Sequence, residues 1–153
     1  MRYAEHTAVS SERSKAEIER LLSKYGAEQF VSGWDANTAK IGFRIHDRHV
    51  RFTLPLPAKD DQKFLRSPSG RKMLGPDARY KAWEQATRQR WRALALVVKA
   101  KLEAVDTGIT TFEEEFMAHI VMPNGKTVGE MAMPMIETAY KSGKMPQALL
   151  SGW

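Results

Sequence analysis

The sequence contains no cysteine among its 153 residues, and this absence excludes several kinds of site. Disulfide bonds, thiolate zinc centres and thiol catalysis all need a cysteine sulfur. Long apolar runs are also missing, since none approaches the roughly 20 residues that a membrane-spanning helix needs. The first residues, MRYAEHTAVSSERSK, lack the apolar core of a secretory signal. We therefore expect a cytoplasmic protein without a membrane partner.

Motifs for catalysis are missing as well. The chain has no HExxH, no glycine-rich phosphate loop and no serine-centred elbow. His46 and His49 are three residues apart, and the carboxylates of residues 113–115 are possible further metal ligands. However, across the expected tight turn both histidines lie next to Arg48, and a neighbouring positive charge disfavours a bound cation. We expect no enzymatic activity, no metal and no cofactor.

The composition is that of a globular protein, with 42% hydrophobic and 27% charged residues. A chain of this length is long enough for one domain with a sizeable core. The order of the predicted elements indicates an α+β fold over residues 1–153. It comprises an N-terminal helix, a three-stranded antiparallel meander, a long amphipathic helix and a C-terminal helix–hairpin–helix part.

The N-terminal half supplies the first helix and the meander. Ser10 or Ser11 is the expected cap of a helix of about 14 residues, and Gly26 is expected to end it. A short strand over residues 28–34 precedes turn residues 35–38. Alternating apolar residues then predict two strands that are joined by a turn at residues 47–48 and end at prolines 55 and 57.

Residues 58–76 are expected to form a long basic loop, and the longest helix follows it. Apolar residues at spacings of three and four predict this helix from Asp77, its expected N-cap, to Val105, just before Gly108. The stripe comprises Tyr80, Trp83, Thr87, Trp91, Leu94, Val98, Leu102 and Val105.

The C-terminal third combines two capping-box spacings with a turn signal. Thr111 with Glu114, and Thr127 with Glu130, have the spacing that opens a helix. Asn124-Gly125 between them favours a hairpin turn. Pro134 is expected to kink the second helix or to mark its true start, and residues 146–153 are expected to form a loose tail.

Six methionines occur in the C-terminal third, at positions 117, 122, 131, 133, 135 and 145. They suit either an irregular core or an adaptable surface for a partner or a second copy.

Positive charge is concentrated in the middle of the chain. Residues 40–101 contain 16 basic and 5 acidic residues, whereas residues 102–153 contain 3 basic and 7 acidic residues. A concentrated positive charge favours a polyanionic partner, because neutralising phosphates releases condensed counterions.

Part of this charge falls on one face of the predicted hairpin. Equal pairing across residues 47–48 sets Arg44 opposite Arg51, and like charges in that position destabilise a sheet unless an anion covers them. Lys40, Arg44, Arg48 and Arg51 are therefore predicted to bind phosphates, or alternatively to pair with the acidic C-terminal third. If they bind phosphates, replacing Arg44 and Arg51 by alanine is expected to make the slope of log affinity against log salt shallower, by the contribution of about two phosphate contacts.

A second group follows one strip of the long helix, beside its apolar stripe. We predict that this strip and the basic loop extend the phosphate-binding surface of the hairpin. The loop is expected to close over the bound nucleic-acid strand as a mobile arm. The alternatives for the strip are a solvated face or contact with an acidic protein. The predicted contacts are Lys81, Arg88, Arg92 and Lys99 on the strip, and Lys63, Arg66, Arg71 and Lys72 in the loop.

Aromatic residues divide into core and surface candidates. Trp83 and Trp91 lie on the apolar stripe, so we expect them in the core. Trp34, next to a turn, is the better candidate for stacking on an unpaired base.

Three stretches also resemble a known group of proteins: AEHTAVSSERSKAEIERLLSKYGA, VRFTLPLP and KAWEQATRQRWRALALVVKAKLEAVDTGITTFEEEFMAHIVMPNGKTVGE. Together they resemble a family of small uncharacterised proteins of tailed bacteriophages and prophages. The resemblance covers most of the chain. It implies a bacterial cytoplasm as the setting, and it implies no activity and no catalytic residues.

The combined expectation is a non-catalytic phage or prophage protein that binds nucleic acid, with single-stranded DNA favoured and a role in replication or recombination. The alternative is a protein-interaction module that inhibits or recruits a host enzyme, such as a counter-defence protein. Either version allows a homo-oligomer.

Overall fold

The computed structural model describes the backbone of residues 2–147 and the side chains of residues 11–147. It shows an α+β fold, as predicted. The elements in chain order are α1 (Arg2–Lys24), β1 (Gln29–Trp34), β2 (Thr38–Ile45), β3 (Arg48–Pro55), a 3-10 turn (Gln62–Phe64), α2 (Pro76–Asp106), α3 (Phe112–Phe116), a second 3-10 turn (Met117–His119) and α4 (Val128–Ser142). Within this range no helix is long and apolar enough to cross a membrane.

Helix α1 begins earlier than predicted. It extends over 23 residues, and the expected cap at Ser10 or Ser11 was wrong because the helix runs through both positions. The residues before Ser11 include no proline or glycine that would stop a helix. Ser11 is buried on the helix instead of capping it. The predicted end was correct, because Gly26 follows with a φ of 97° that favours glycine.

The meander has the strand order β1-β2-β3, with both pairs antiparallel. The turn between β2 and β3 lies one residue earlier than predicted, at His46 and Asp47, which both have positive φ. Arg44 therefore pairs with His49, and Arg51 pairs with Gly42. The predicted opposition of Arg44 and Arg51 was wrong, although both side chains keep the face expected for them.

Helix α2 matches its predicted length, but its first turn differs. Gly75 occupies the N-cap position, Pro76 is the first helical residue, and Asp77 lies in the first turn instead of capping the helix. Proline suits this position because its missing N–H would have no partner inside the helix. The predicted stripe was correct: Thr87, Trp91, Leu94, Val98 and Leu102 are buried, and the other three members are half-buried.

The core lies between the apolar face of the sheet and three helices. Alternate residues of β2 and β3 contribute Ile41, Phe43, Val50 and Phe52, all of which are buried together with residues of α1, α2 and α3. The opposite face of the sheet is polar. Because the long helix belongs to the packed side, Lys40, Arg44 and Arg51 lie on the far side of the sheet from the core. Arg48 was predicted to share that face but does not, because it pairs with the buried Ile45 and lies on the core side at the end of the hairpin.

The C-terminal part is smaller than a full helix–hairpin–helix unit. Thr111 caps α3, and Thr127 with Glu130 forms the complete capping box of α4, as predicted. The hairpin consists of isolated bridges, Val50 with Ile120 and Val121 with Thr127, which extend the sheet beyond β3. Pro134 lies inside α4, and Gly143 ends this helix in the left-handed conformation.

The long loop is partly ordered by contacts with its surroundings. Its 3-10 turn buries Phe64, and Trp83 of α2 donates a hydrogen bond of 2.7 Å to the carbonyl of Pro57. A bridge joins Arg66 to Met73. Most of the predicted tail, residues 148–153, lies outside the described residues.

Candidate nucleic-acid interface

The arginines of the β2–β3 hairpin lie beside carboxylates. Arg48 forms an ion pair of 2.9 Å with Glu113 of α3, and Arg51 forms one of 3.0 Å with Glu130 of α4. Arg44 pairs with Glu28, which raises the pKa of the guanidinium through a hydrogen bond and the adjacent negative charge. The alternative expectation, pairing with the acidic C-terminal third, is therefore the arrangement that Arg48 and Arg51 adopt.

This pairing removes most of the positive charge from the hairpin face. Lys40 forms no ion pair with a described residue, so on the far face of the sheet three cations, Lys40, Arg44 and Arg51, face the carboxylates of Glu28 and Glu130, while Arg48 and Glu113 pair on the core side. Arg44 and Arg51 also each keep one hydrogen-bond donor without a partner in the described structure, because their Nε atoms are buried and form no hydrogen bond. A shallow concavity of about 370 Å³ lies on this face, lined in part by Lys40, Gly42, His49 and Arg51.

The strip on α2 keeps more of its charge. Lys81, Arg92 and Lys99 are exposed and form no ion pair with any residue between 11 and 147. Arg88 pairs with Glu84, four residues earlier, at 2.7 Å. Four cations therefore face one carboxylate along a strip that extends about 27 Å, given a rise of 1.5 Å per residue.

The opposite flank of α2 is occupied by contacts with the sheet and the loop. Arg79 donates to the carbonyl of Leu74, and Arg90 donates to that of Pro55. Lys59 lies 4.8 Å from the ring centre of Trp83. Lys81 and Trp83 are two residues apart, which places them about 200° apart around the helix. The strip and the loop therefore lie on different flanks of α2.

The loop residues predicted to bind phosphates are exposed. Lys63 lies 5.1 Å from the ring centre of Phe64, and Arg66 donates to the carbonyl of Gly70. Arg71 and Lys72 form no ion pair within the described part of the chain. The twelve predicted basic residues thus lie on separate surfaces. Three are on the far face of the sheet (Lys40, Arg44 and Arg51), Arg48 is at the core-side end of the hairpin, and the other eight are divided between the loop and the strip of α2.

Trp91 occupies the core as predicted, whereas the prediction was wrong for Trp83, which packs on the loop at the border of the core. Trp91 is buried, with Lys15 of α1 5.2 Å from its ring centre, and Trp83 is half-buried. Trp34 is 75% exposed at the end of β1, the edge strand, so its ring is accessible for stacking.

Two features near the strip were not predicted from the sequence. Leu96 is 62% exposed and lies between Arg92 and Lys99 on the helix surface. Glu84 is 6% exposed and lies at the border of the apolar stripe. The spacing of four residues between Glu84 and Arg88 was the available signal for their ion pair.

The side chains considered as possible metal ligands have other contacts. Among the described residues, no group of three or more histidines and carboxylates lies close enough together to bind a metal ion. His46 contacts the ring of Phe112 edge-on at 5.3 Å, and the carboxylate of Glu113 is bound by Arg48.

His119 gives the fold a predicted sensitivity to acid. Its ring stacks on Phe52 at 4.0 Å, and burial together with the charge of Lys101 lowers its pKa. The unfolded chain then binds the proton more readily than the folded protein. Stability is therefore expected to decrease as the pH falls below the usual histidine pKa of about 6.5.

Urea unfolding at pH 7 and pH 5 tests this prediction. The pH dependence should be shallower for His119→Phe, which keeps an aromatic ring on Phe52 but has no titrating group. Protonation of Glu130 does not affect this comparison between pH 7 and pH 5. The hydrogen bond from Arg51 is the chief cause that lowers the pKa of Glu130, so its protonation destabilises the fold only in stronger acid. Equal pH dependence for both proteins would contradict the role of His119.

Comparisons of the chain with family models, with curated proteins and with solved structures gave no match.

Proposed function

We propose that the protein binds the phosphate backbone of nucleic acid without catalysis, and that the strip on α2 is its main contact surface. The observation that supports this proposal is the row of Lys81, Arg92 and Lys99, all exposed and without ion pairs among the described residues. Cations aligned along one strip of a rigid helix position a polyanion without reading its sequence. The far face of the sheet is a weaker candidate, because Glu28 and Glu130 neutralise two of its three cations, and Arg48 on the other side pairs with Glu113.

Single-stranded DNA is the proposed ligand. The ring of Trp34 is accessible to an unpaired base, and stacking of this kind contributes about 1–3 kcal/mol per base. The resemblance to proteins of tailed phages and prophages supports a role in phage replication or recombination within the bacterial cytoplasm. The basic loop supplies a second, separate contact, with Lys63, Arg66, Arg71 and Lys72 exposed.

A fluorescence-anisotropy titration with single- and double-stranded oligonucleotides tests the proposal. Three or four phosphate contacts predict a slope of log affinity against log salt of about −2 to −3 for a single strand. Affinity should therefore decrease about 20- to 50-fold between 50 and 200 mM salt. Binding that is absent, or that does not change with salt, contradicts the proposal. Tighter binding to the duplex contradicts the preference for single strands.

The revised charge distribution also changes the expectation for the hairpin arginines. Because Arg44 and Arg51 already neutralise Glu28 and Glu130, they release few counterions when DNA binds. Replacing both arginines by alanine is now expected to change the slope of log affinity against log salt by less than the contribution of about one phosphate contact. A decrease in slope that corresponds to two phosphate contacts would instead identify the face with Arg44 and Arg51 as the main contact surface.

The exposure of Leu96 favours a second candidate, in which the same strip binds an acidic surface on a host or phage protein. An apolar side chain between two cations is typical of a protein interface and contributes little to phosphate binding. The variant Leu96→Ser distinguishes the two candidates. It should leave DNA affinity unchanged, and it should weaken capture of a protein partner from nuclease-treated bacterial lysate.

A further inference from the structure

Exposed apolar side chains occur in the C-terminal third and on strand β1. None of the six C-terminal methionines is buried, so the alternative of an irregular core was wrong. Strand β1 exposes 75% of Trp34 and 68% of Val31, and it lies at the edge of the sheet. It therefore combines an apolar surface with the backbone hydrogen-bonding groups of an unpaired strand edge.

The two edges of the sheet differ in how they are protected. At the outer edge of β3, the N–H of Val121 donates to the carbonyl of His49 at 2.8 Å. Pro55 has no N–H, and its carbonyl accepts from Arg90. Proteins usually protect edge strands by such cover, by proline or by charged residues, because open edges pair with other chains. Strand β1, with the sequence QFVSGW, contains neither proline nor charge.

The hydrogen bonds of the meander determine which groups of β1 point outward. Asp35 donates to the carbonyl of Thr38 at 2.8 Å, which marks a hydrogen-bonded pair, and alternate pairs along the two strands follow the same pattern. Residues 29, 31 and 33 therefore bond to β2. No hydrogen bond within residues 11–147 uses the backbone groups that point away from β2. These belong to Phe30, Ser32 and Trp34.

A second copy of the strand complements this edge in one register. Two identical antiparallel strands are related by a two-fold axis perpendicular to the sheet, so opposed residues lie on the same face. With the axis at Ser32, the outward groups become the hydrogen-bonded positions. Phe30 then lies opposite the partner's Trp34, and Val31 lies opposite the partner's Gly33. Aromatic pairs stabilise antiparallel strands, and the glycine leaves room for the valine.

The neighbouring registers lack these features. With the axis at Val31, Trp34 would face the partner's Glu28, whose N–H already donates to the carbonyl of Arg44. With the axis at Gly33, Phe30 would lie opposite a residue beyond the end of the partner's strand. The axis at Ser32 is therefore the position that pairs both aromatic rings and uses the outward groups of all three residues.

We propose that the protein forms a two-fold symmetric homodimer in which the β1 strands pair antiparallel around Ser32 and join the two meanders into one continuous sheet. A two-fold interface uses the same surface on both subunits, as this pairing does. The dimer does not depend on the strip of α2. Trp34 takes part in both proposals, so an unpaired base that stacks on its ring competes with the partner's Phe30.

The absence of cysteine allows a direct test of the register by crosslinking. Single-cysteine variants are oxidised and separated on non-reducing gels, because a disulfide needs Cα atoms within about 7 Å. Ser32→Cys should crosslink to itself, since opposed Cα atoms in a hydrogen-bonded pair are about 5.5 Å apart. Val31→Cys alone should yield little crosslink, whereas its mixture with Gly33→Cys should yield mainly the mixed dimer. Stronger self-crosslinking of Val31→Cys than of Ser32→Cys overturns the proposal.

Sedimentation equilibrium without nucleic acid tests the dimer independently of the proposed DNA binding. Ser32→Pro removes an N–H that has no partner within the described monomer, so the fold should persist. The dimer dissociation constant should rise at least about 10-fold, because two hydrogen bonds across the axis are lost. Ser32→Ala is the matched control, since it keeps the N–H and should leave the constant unchanged.

A second variant acts through the side chain. Trp34→Ser replaces an exposed ring and should raise the dissociation constant about 5-fold without affecting the fold. Circular dichroism of each variant verifies that it is folded. A wild-type protein that stays monomeric at every concentration overturns the proposal. A dimer that persists unchanged in both Ser32→Pro and Trp34→Ser does so as well.

Discussion

Replacing Phe116 with alanine is expected to lower the free energy of unfolding by about 3–5 kcal/mol. The side chain is completely buried, and it meets the rings of Phe43 and Phe52 edge-on at 6.0 and 6.2 Å. It also stacks on Phe112 at 4.8 Å. Its removal therefore leaves a cavity between α3 and the sheet, which the surrounding rings cannot fill without leaving their own contacts.

Urea unfolding followed by circular dichroism measures this effect. The matched control is Met117→Ala at the next position, where the side chain is 51% exposed, and its expected change is within about 0.5 kcal/mol. A loss below about 1 kcal/mol for Phe116→Ala would mean that α3 does not pack on the sheet as described. The ion pair between Arg48 and Glu113 would then also lose its structural support.

Replacing Arg88 with alanine is expected to lower the free energy of unfolding by about 2–3 kcal/mol. The carboxylate of Glu84 is nearly buried, and Arg88 is its ion-pair partner. Without the guanidinium, a charged group remains at the edge of the core with no partner. The expected loss lies below that of a fully buried pair because the side chain of Arg88 is 39% exposed.

Two further variants separate this effect from a general loss of charge. Lys141→Ala removes the cation of an exposed pair at the same spacing, with Glu137, and should change stability by less than about 0.5 kcal/mol. Adding Glu84→Gln to Arg88→Ala should recover part of the loss, because an amide costs less to bury than a carboxylate. No recovery in the double variant would contradict the role of the unpaired charge.

Local patterns in the sequence were sufficient for most of the fold. The stripe on α2 follows one helical period over eight turns, so each apolar residue supports the same assignment. The capping residues Thr111 and Thr127 act within four residues of themselves, and glycines 26, 108 and 143 end their helices through a local backbone conformation. Interactions of this kind are readable because both partners are close in the chain.

The turn of the hairpin shows where local patterns fail. Both possible turns contain Asp47, and only the cross-strand hydrogen bonds of the folded sheet decide between residues 46–47 and 47–48. His46 and Asp47 both adopt a positive φ, which is uncommon for residues other than glycine although histidine and aspartate adopt it more often than most. Such a conformation is selected by the pairing of the strands and not by the turn residues alone.

The candidate site was harder to predict because its charges are balanced by distant partners. Arg51 meets Glu130 79 positions later in the chain, and Arg48 meets Glu113. The excess of acidic residues in the C-terminal third indicated that pairing was possible, but it did not identify the partners. The strip on α2 was predictable, since its spacing is helical and its one ion pair lies within the same helix.

The central claim, that the strip on α2 binds single-stranded nucleic acid, is tested most directly by one anisotropy experiment on three proteins. They are the wild type, a strip variant carrying Lys81→Gln, Arg92→Gln and Lys99→Gln, and a control variant carrying Arg13→Gln, Arg20→Gln and Lys126→Gln. Both variants lose three exposed positive charges. Arg88 is retained so that Glu84 keeps its partner and the fold is not weakened.

The quantity to compare is the slope of log affinity for a single-stranded oligonucleotide against log salt between 50 and 200 mM. We expect the strip variant to lose about two units of slope, about 0.7 for each phosphate contact removed, while the control variant keeps a slope close to that of the wild type. Equal slopes for the strip and control variants would show that net charge, and not the strip on α2, determines binding, and would contradict the account.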